Sequence, residues 1–230
     1  MESLAPLKKT EFDRDDGNGA KERAMMHRGP KGAAQSVWAK AFAQLSQCEL
    51  DERLRISAFA GASMISRALL AHGANPLATD EDGVTALLAA ADSGAAMCIE
   101  ALASVSDHGA RDNAGRTALH RAAQSEECSV ACLQLLLAYD EAAKHQDNEG
   151  NTALMIACVE QEWEIVELLL GHSDILASNH QGEAAVDIAR KHQNAQIIDG
   201  LAEAAAVAVE RAEMEKSSAP AKAPTHVIRL

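Results

Sequence analysis

The stretch Asp112-Asn113-Ala114-Gly115-Arg116-Thr117-Ala118-Leu119-His120-Arg121-Ala122-Ala123 does not stand alone. Asp80-Glu81-Asp82-Gly83-Val84-Thr85-Ala86-Leu87-Leu88-Ala89-Ala90-Ala91 precedes it with the same pattern. Asp147-Asn148-Glu149-Gly150-Asn151-Thr152-Ala153-Leu154-Met155-Ile156-Ala157-Cys158 follows it. A weaker copy opens at Asn179-His180-Gln181-Gly182 and runs on to Val186-Asp187-Ile188-Ala189. The shared glycines lie 32, 35 and 32 residues apart. An earlier copy lacks the Gly-x-Thr opening, but Leu54 to Gly61 matches Leu87 to Gly94 at a spacing of 33. About five units are therefore expected.

Each phrase has a physical reading. Asp-x-x-Gly is a turn, in which the Asp side chain caps local backbone and Gly takes a positive φ. Thr is placed to cap the helix that follows. The Ala-Ala pair suits a face where a neighbouring unit packs closely. Leucine pairs at Leu69-Leu70, Leu136-Leu137 and Leu169-Leu170 mark a second, antiparallel helix. One unit cannot bury its own apolar face, so the units must stack. The 35-residue spacing implies two extra residues between the helices of the middle unit, near Glu126–Ser129.

This pattern resembles the ankyrin repeat, and the resemblance covers about residues 50–202. It implies an all-α solenoid of helix-turn-helix units joined by short β-hairpin loops. Two departures stand out. The family's Thr-Pro-Leu-His phrase has Ala86, Ala118 and Ala153 where proline is usual. Its histidine survives only at His120, so hydrogen bonding from that position is expected there alone.

Composition agrees with such a stack. Alanine supplies 48 of the 230 residues, and only six are aromatic. Alanine favours helix and lets backbones approach. The formal net charge is −13. Residues 36–202 hold ten bases and 24 acids, whereas the two ends are nearly neutral. That balance argues against nucleic acid and anionic membranes as partners. No apolar run approaches the roughly 18 residues of a membrane span. Residues 1–35 show neither a hydrophobic signal core nor a transit-peptide bias. Five cysteines at irregular spacings read as reduced thiols, so a cytoplasmic and nuclear location is expected.

The expected organisation is a disordered segment over 1–35, a capping helix over 36–48, repeats over 49–202, a helical extension over 203–216 and a flexible tail over 217–230. Val37, Trp38, Ala41, Phe42 and Leu45 share one face of the capping helix.

Catalytic and metal chemistry finds little support. His120, Cys128 and Cys132 have a metal-like look, but a closed site needs a fourth ligand and no CxxC pair exists. No phosphate loop or nucleophile motif is present. The expectation is a monomeric, non-enzymatic protein without metal or cofactor.

The ankyrin resemblance implies a concave binding face. By repeat position it comprises Phe59; Glu81, Asp82, Val84 and Asp92; Asn113, Arg116 and Gln124; Asn148, Glu149, Asn151 and Glu160; His180 and Glu183. Ala114, Val159 and Lys191 lie beside them. Glu81, Asp82 and Asp92 together point to a protein partner with a basic surface. Ile156 and Cys158 are expected in the core. Two stretches, His120–Ala123 and Gln146–Glu160, are similar to the ankyrin chaperones of proteasome regulatory-particle assembly. That similarity implies a proteasome base ATPase subunit as partner. A generic ankyrin adaptor or inhibitor of an unrelated partner is the alternative.

Overall fold

The computed structural model describes residues 42, 44–138 and 142–218. The segment 1–35, the positions Val37, Trp38 and Ala41, and the tail from 219 lie outside the described residues. Ten α-helices are described: α1 (Gln47–Phe59), α2 (Ser63–Ala71), α3 (Ala86–Asp92), α4 (Ala96–Ala103), α5 (Ala118–Gln124), α6 (Val130–Leu137), α7 (Ala153–Glu160), α8 (Trp163–Leu170), α9 (Ala185–Lys191) and α10 (Ala195–Ser218).

They form five antiparallel pairs. The odd-numbered helices α1, α3, α5, α7 and α9 pack in series as one layer. The even-numbered helices α2 to α10 form the other layer in the same order. The alanine pairs sit where this packing is tightest. Ala90, Ala91, Ala122, Ala123, Ala157 and Cys158 are all buried. Leu54, Leu87, Leu88, Leu119, Leu154, Leu69, Leu102, Leu133 and Leu169 fill the space between layers. Each such leucine contributes roughly 1.5–3 kcal/mol relative to an exposed one.

Local sequence sets the helix starts. Ser46 and Glu49 form a capping box at α1, with Ser46 N donating to Glu49 Oε2 at 2.8 Å. This cap starts α1 at Gln47, so Gln47 and Cys48 belong to the first repeat helix rather than to a preceding one. Phe42 is buried, with its ring edge-on to His72 of the first unit. Thr85 and Thr152 accept from Leu88 N and Met155 N respectively, each at 3.4 Å.

The hairpin tips carry no strand among the described residues, and one isolated bridge joins Ser178 and Ala184. The tips are turns, too short for a ladder. Asp112 N donates to Arg116 O at 3.1 Å and Gly115 N to Asp112 O at 2.8 Å. Gly83, Gly115, Gly150 and Gly182 all take positive φ there, 76° to 82°. Two extra residues do enter between α5 and α6, whose connection runs from 125 to 129 where α3 and α4 need only 93–95. The third extra residue lies between α6 and Asp147, beside a single 3-10 turn at Ala142–Lys144.

At the far end, α10 continues without a break past the last unit to Ser218, so Ser217 and Ser218 belong to the helix rather than to the expected tail. Its first turns dock through Ile197 and Leu201, both fully buried. Gly200 lets it approach Trp163 so closely that a Cβ there would lie 2.4 Å from the ring.

Candidate functional site

The expected groove comprises the turn tips and the exposed ends of the odd-numbered helices. Its tips are tied into a row. Asn113 N donates to Asp82 O (2.9 Å), Asn148 N to Ala114 O (3.0 Å) and His180 N to Glu149 O (3.0 Å). Side chains repeat the link: Asn113 Nδ2 reaches Glu81 O and Asn148 Nδ2 reaches Asn113 O. Arg111 and Gln146 form a parallel tie, donating to the carbonyls of Gln146 and Ser178. Asn113 and Asn148, expected as groove contacts, thus spend their amides on the neighbouring tip.

A buried charge network underlies the middle of the row. Asp112 Oδ1 accepts from Ala114 N and Arg116 N, both at 2.9 Å. Its Oδ2 accepts from Arg116 Nε (2.9 Å), Arg121 Nε (3.1 Å) and Arg121 Nη2 (2.7 Å). Arg121 Nη1 also lies 3.6 Å from Asp92. Burial alone would push the Asp112 carboxyl up. The Arg116 amide and the Arg121 and Arg116 guanidinium groups outweigh it and hold the carboxyl below its ordinary value. Arg121 was not among the expected site residues. The signal was present: a cation stands where the other units have Ala89, Ile156 and Ile188.

Asp92 therefore faces an arginine. Of the expected acidic trio, Glu81 and Asp82 are exposed and keep carboxylates without a partner among the described residues. Phe59, 49% exposed, stands at the first unit's end of the groove, with Ile56 exposed one turn earlier. Val84 is half-buried.

A side-chain link between tip and helix end is present in two units and absent from the one between them. In the third unit Arg116 Nη1 donates to Gln124 Oε1 at 2.9 Å, bridging tip and helix end. In the fifth, Lys191 pairs with Glu183 across the same two positions. In the fourth those positions are Asn151 and Val159, which make no such bridge. A cavity of about 540 Å³ opens there, lined among others by Arg116, Gln124, Glu149, Met155, Ile156, Val159 and Glu160. Arg116, Gln124, Asn148, Glu149, Asn151 and Glu160 of the expected face converge on it. His180 and Glu183 belong to the fifth unit and do not line it. Ile156 departs from the core assignment: it packs on the core from a half-buried position and also lines the cavity. Cys158 is fully buried.

His120 lies beneath the row. Thr117 N donates to its Nδ1 at 3.2 Å, so the ring proton sits on Nε2, which donates to Asn151 O at 3.1 Å. Both nitrogens are used within the fold. The expectation that only this unit bonds from that position is corrected by Asp187, its fifth-unit equivalent, whose Oδ2 accepts from Ala184 N at 3.2 Å. A carboxylate at the third helical residue can cap the helix start as the imidazole does. Among the described residues no three His, Cys, Asp or Glu side chains are grouped to hold a metal. Burial pushes the Cys98 thiol up and the Cys158 thiol up to about 12, away from the range of an activated nucleophile.

Helix pairs stacked in one direction, with cross-tied tips over a groove, define a helical-hairpin repeat solenoid. The chain belongs to the ankyrin-repeat family: the family model described as Ankyrin repeats (3 copies) matches residues 54–145 and again 128–211, well over half of the chain. Ankyrin repeats are protein–protein interaction modules, and the protein is an interaction scaffold of that class.

Proposed function

We propose that the groove is the working surface and that it receives a basic domain of a partner protein. The observation that carries this reading is the charge: 24 acids against ten bases over residues 36–202, with Glu81, Asp82 and Glu160 on the groove side and unpaired among the described residues. A field of that sign steers a basic surface into place. Within this reading the partner class is the C-terminal domain of a proteasome base ATPase subunit. The support is the similarity of His120–Ala123 and Gln146–Glu160 to gankyrin, the ankyrin chaperone of regulatory-particle assembly. The protein would hold that subunit until assembly is ready, in the cytoplasm or nucleus.

Affinity purification of the tagged full chain tests both levels. Recovery of base ATPase subunits, lost on Glu81→Lys with Asp82→Lys, is the expected result. Enrichment of one unrelated basic partner, lost in the same variant, would leave the acidic groove standing and remove the chaperone role. Capture that ignores the charge reversal would remove the groove reading itself.

A further inference from the structure

We propose, resting on the groove reading above, that the cavity of the fourth unit is an anchor site for one arginine or lysine of the partner with an apolar residue beside it. Three observations converge. First, the floor is apolar: Met155 is buried, Ile156 half-buried and Val159 43% exposed on a helix end where a side chain can cover it. Second, three carboxylates, Asp147, Glu149 and Glu160, stand on the lining; Asp147 accepts from the Glu149 and Asn151 amides of its own turn, and Glu160 has no partner among the described residues. Third, the Arg116 side chain is held by Asp112 through Nε and by Gln124 through Nη1. It lines the same cavity.

These features select one kind of occupant. Arg116 is fixed in place and repels an incoming cation, which leaves the two glutamates as its destination. The aliphatic stem of a basic side chain lies well on Ile156 and Val159 while its head meets the carboxylates. A volume of about 540 Å³ falls within the range of small-ligand clefts and leaves room for a neighbouring apolar side chain. No side chain bridges tip and helix end in the fourth unit, whereas Arg116–Gln124 and Glu183–Lys191 do so in the third and fifth, and the Arg116–Gln124 pair forms one wall of the cavity.

The test uses the full chain with labelled Ile and Val methyl groups and the probe N-acetyl-leucyl-arginine amide. Saturable shifts at Ile156 and Val159 are expected. Binding should weaken about tenfold in the double variant Glu149→Gln, Glu160→Gln. The probe N-acetyl-leucyl-glutamine amide should not saturate the site. Equal binding of the two probes, or shifts that do not saturate, would overturn the proposal. So would saturation that appears only after removal of residues 219–230, because Arg229 between Ile228 and Leu230 would then be the occupant. Partner capture separates the two readings. If Glu81→Lys with Asp82→Lys abolishes capture while the glutamine double variant leaves it unchanged, the anchor fails and the groove reading survives. Capture unchanged in both sinks both.

Discussion

Asp112 serves five donors from a position only 6% exposed, and two of the groups it holds are arginines. Asp112→Asn would leave Arg121, itself buried, without its closest counter-charge. Breaking a buried pair from one side costs about 3–5 kcal/mol, readable as a lower urea midpoint at unchanged slope. Asp80 holds the same place in the second unit, but it is exposed and its partner Arg55 is 3.9 Å away. Asp80→Asn should therefore cost less than about 1 kcal/mol through that pair. Similar losses in both variants would show that the carboxylates act as turn caps and that the arginine network contributes nothing. His120 gives the second residue-level expectation. Burial drives its pKa down, aided by Arg111 and His145 and opposed by the Asn151 carbonyl and Asp147. The folded imidazole thus stays neutral where the unfolded one takes a proton. Stability from this group is complete above the unfolded value of about 6.5, declines as pH falls below it, and levels off below the folded pKa. His120→Met, which copies Met155 at the equivalent place, should flatten that decline between about pH 7 and 5. An identical decline in the variant would assign it to other groups.

At the scale of the element, the turn between paired helices explains a local irregularity. Gly61 and Gly94 take φ of 69° and 63° at this turn in the first two units. Gln161 and Gln193 adopt the same conformation, φ 63° and 56°, in the last two. A side chain held there costs roughly 1–2 kcal/mol. Glycine avoids that strain but gives back about 0.5–1 kcal/mol in unfolded-chain entropy. Gln161 is exposed. Gln161→Gly should accordingly raise stability by about 0.5–1 kcal/mol, visible as a small rise in urea midpoint. A fall would mean the glutamine has a role the geometry does not reveal. The helices and turns were legible because each unit repeats the same offsets from its glycine, so caps, alanine faces and leucine layers could be read by register. The groove was less legible, because its character depends on pairs that meet across the tip and helix end. Arg116 with Gln124 and Asn151 with Val159 look alike as single polar or mixed positions, yet one pair closes the surface and the other opens it. Asn113 and Asn148 carry a related ambiguity: an amide suits a partner contact and a carbonyl of the next tip equally well, and here both amides bond the neighbouring tip.

For the whole molecule, one charge imbalance has two consequences of opposite sign. Residues 36–202 carry 14 more acids than bases on a thin stack, so self-repulsion opposes the folded state. Among the described residues the ion pairs that offset it are few and mostly exposed, apart from those of Arg121 and Arg116 with Asp112. Raising salt from about 0.01 M to 0.15 M shortens the Debye length from about 30 Å to 8 Å. Repulsion spread over the stack is screened by that change, whereas the buried Asp112 network is hardly touched. The urea midpoint should therefore rise with sodium chloride. Association with a basic partner should change the other way, its rate falling over the same range while dissociation changes little. Sodium sulfate strengthens apolar burial whatever the charge, so the comparison has to be made in chloride at matched ionic strength. A midpoint that falls as chloride rises would mean that attractive pairs outweigh repulsion in the fold. The acidic surface would then be a set of local pairs, without the long-range field on which steering of a basic partner depends.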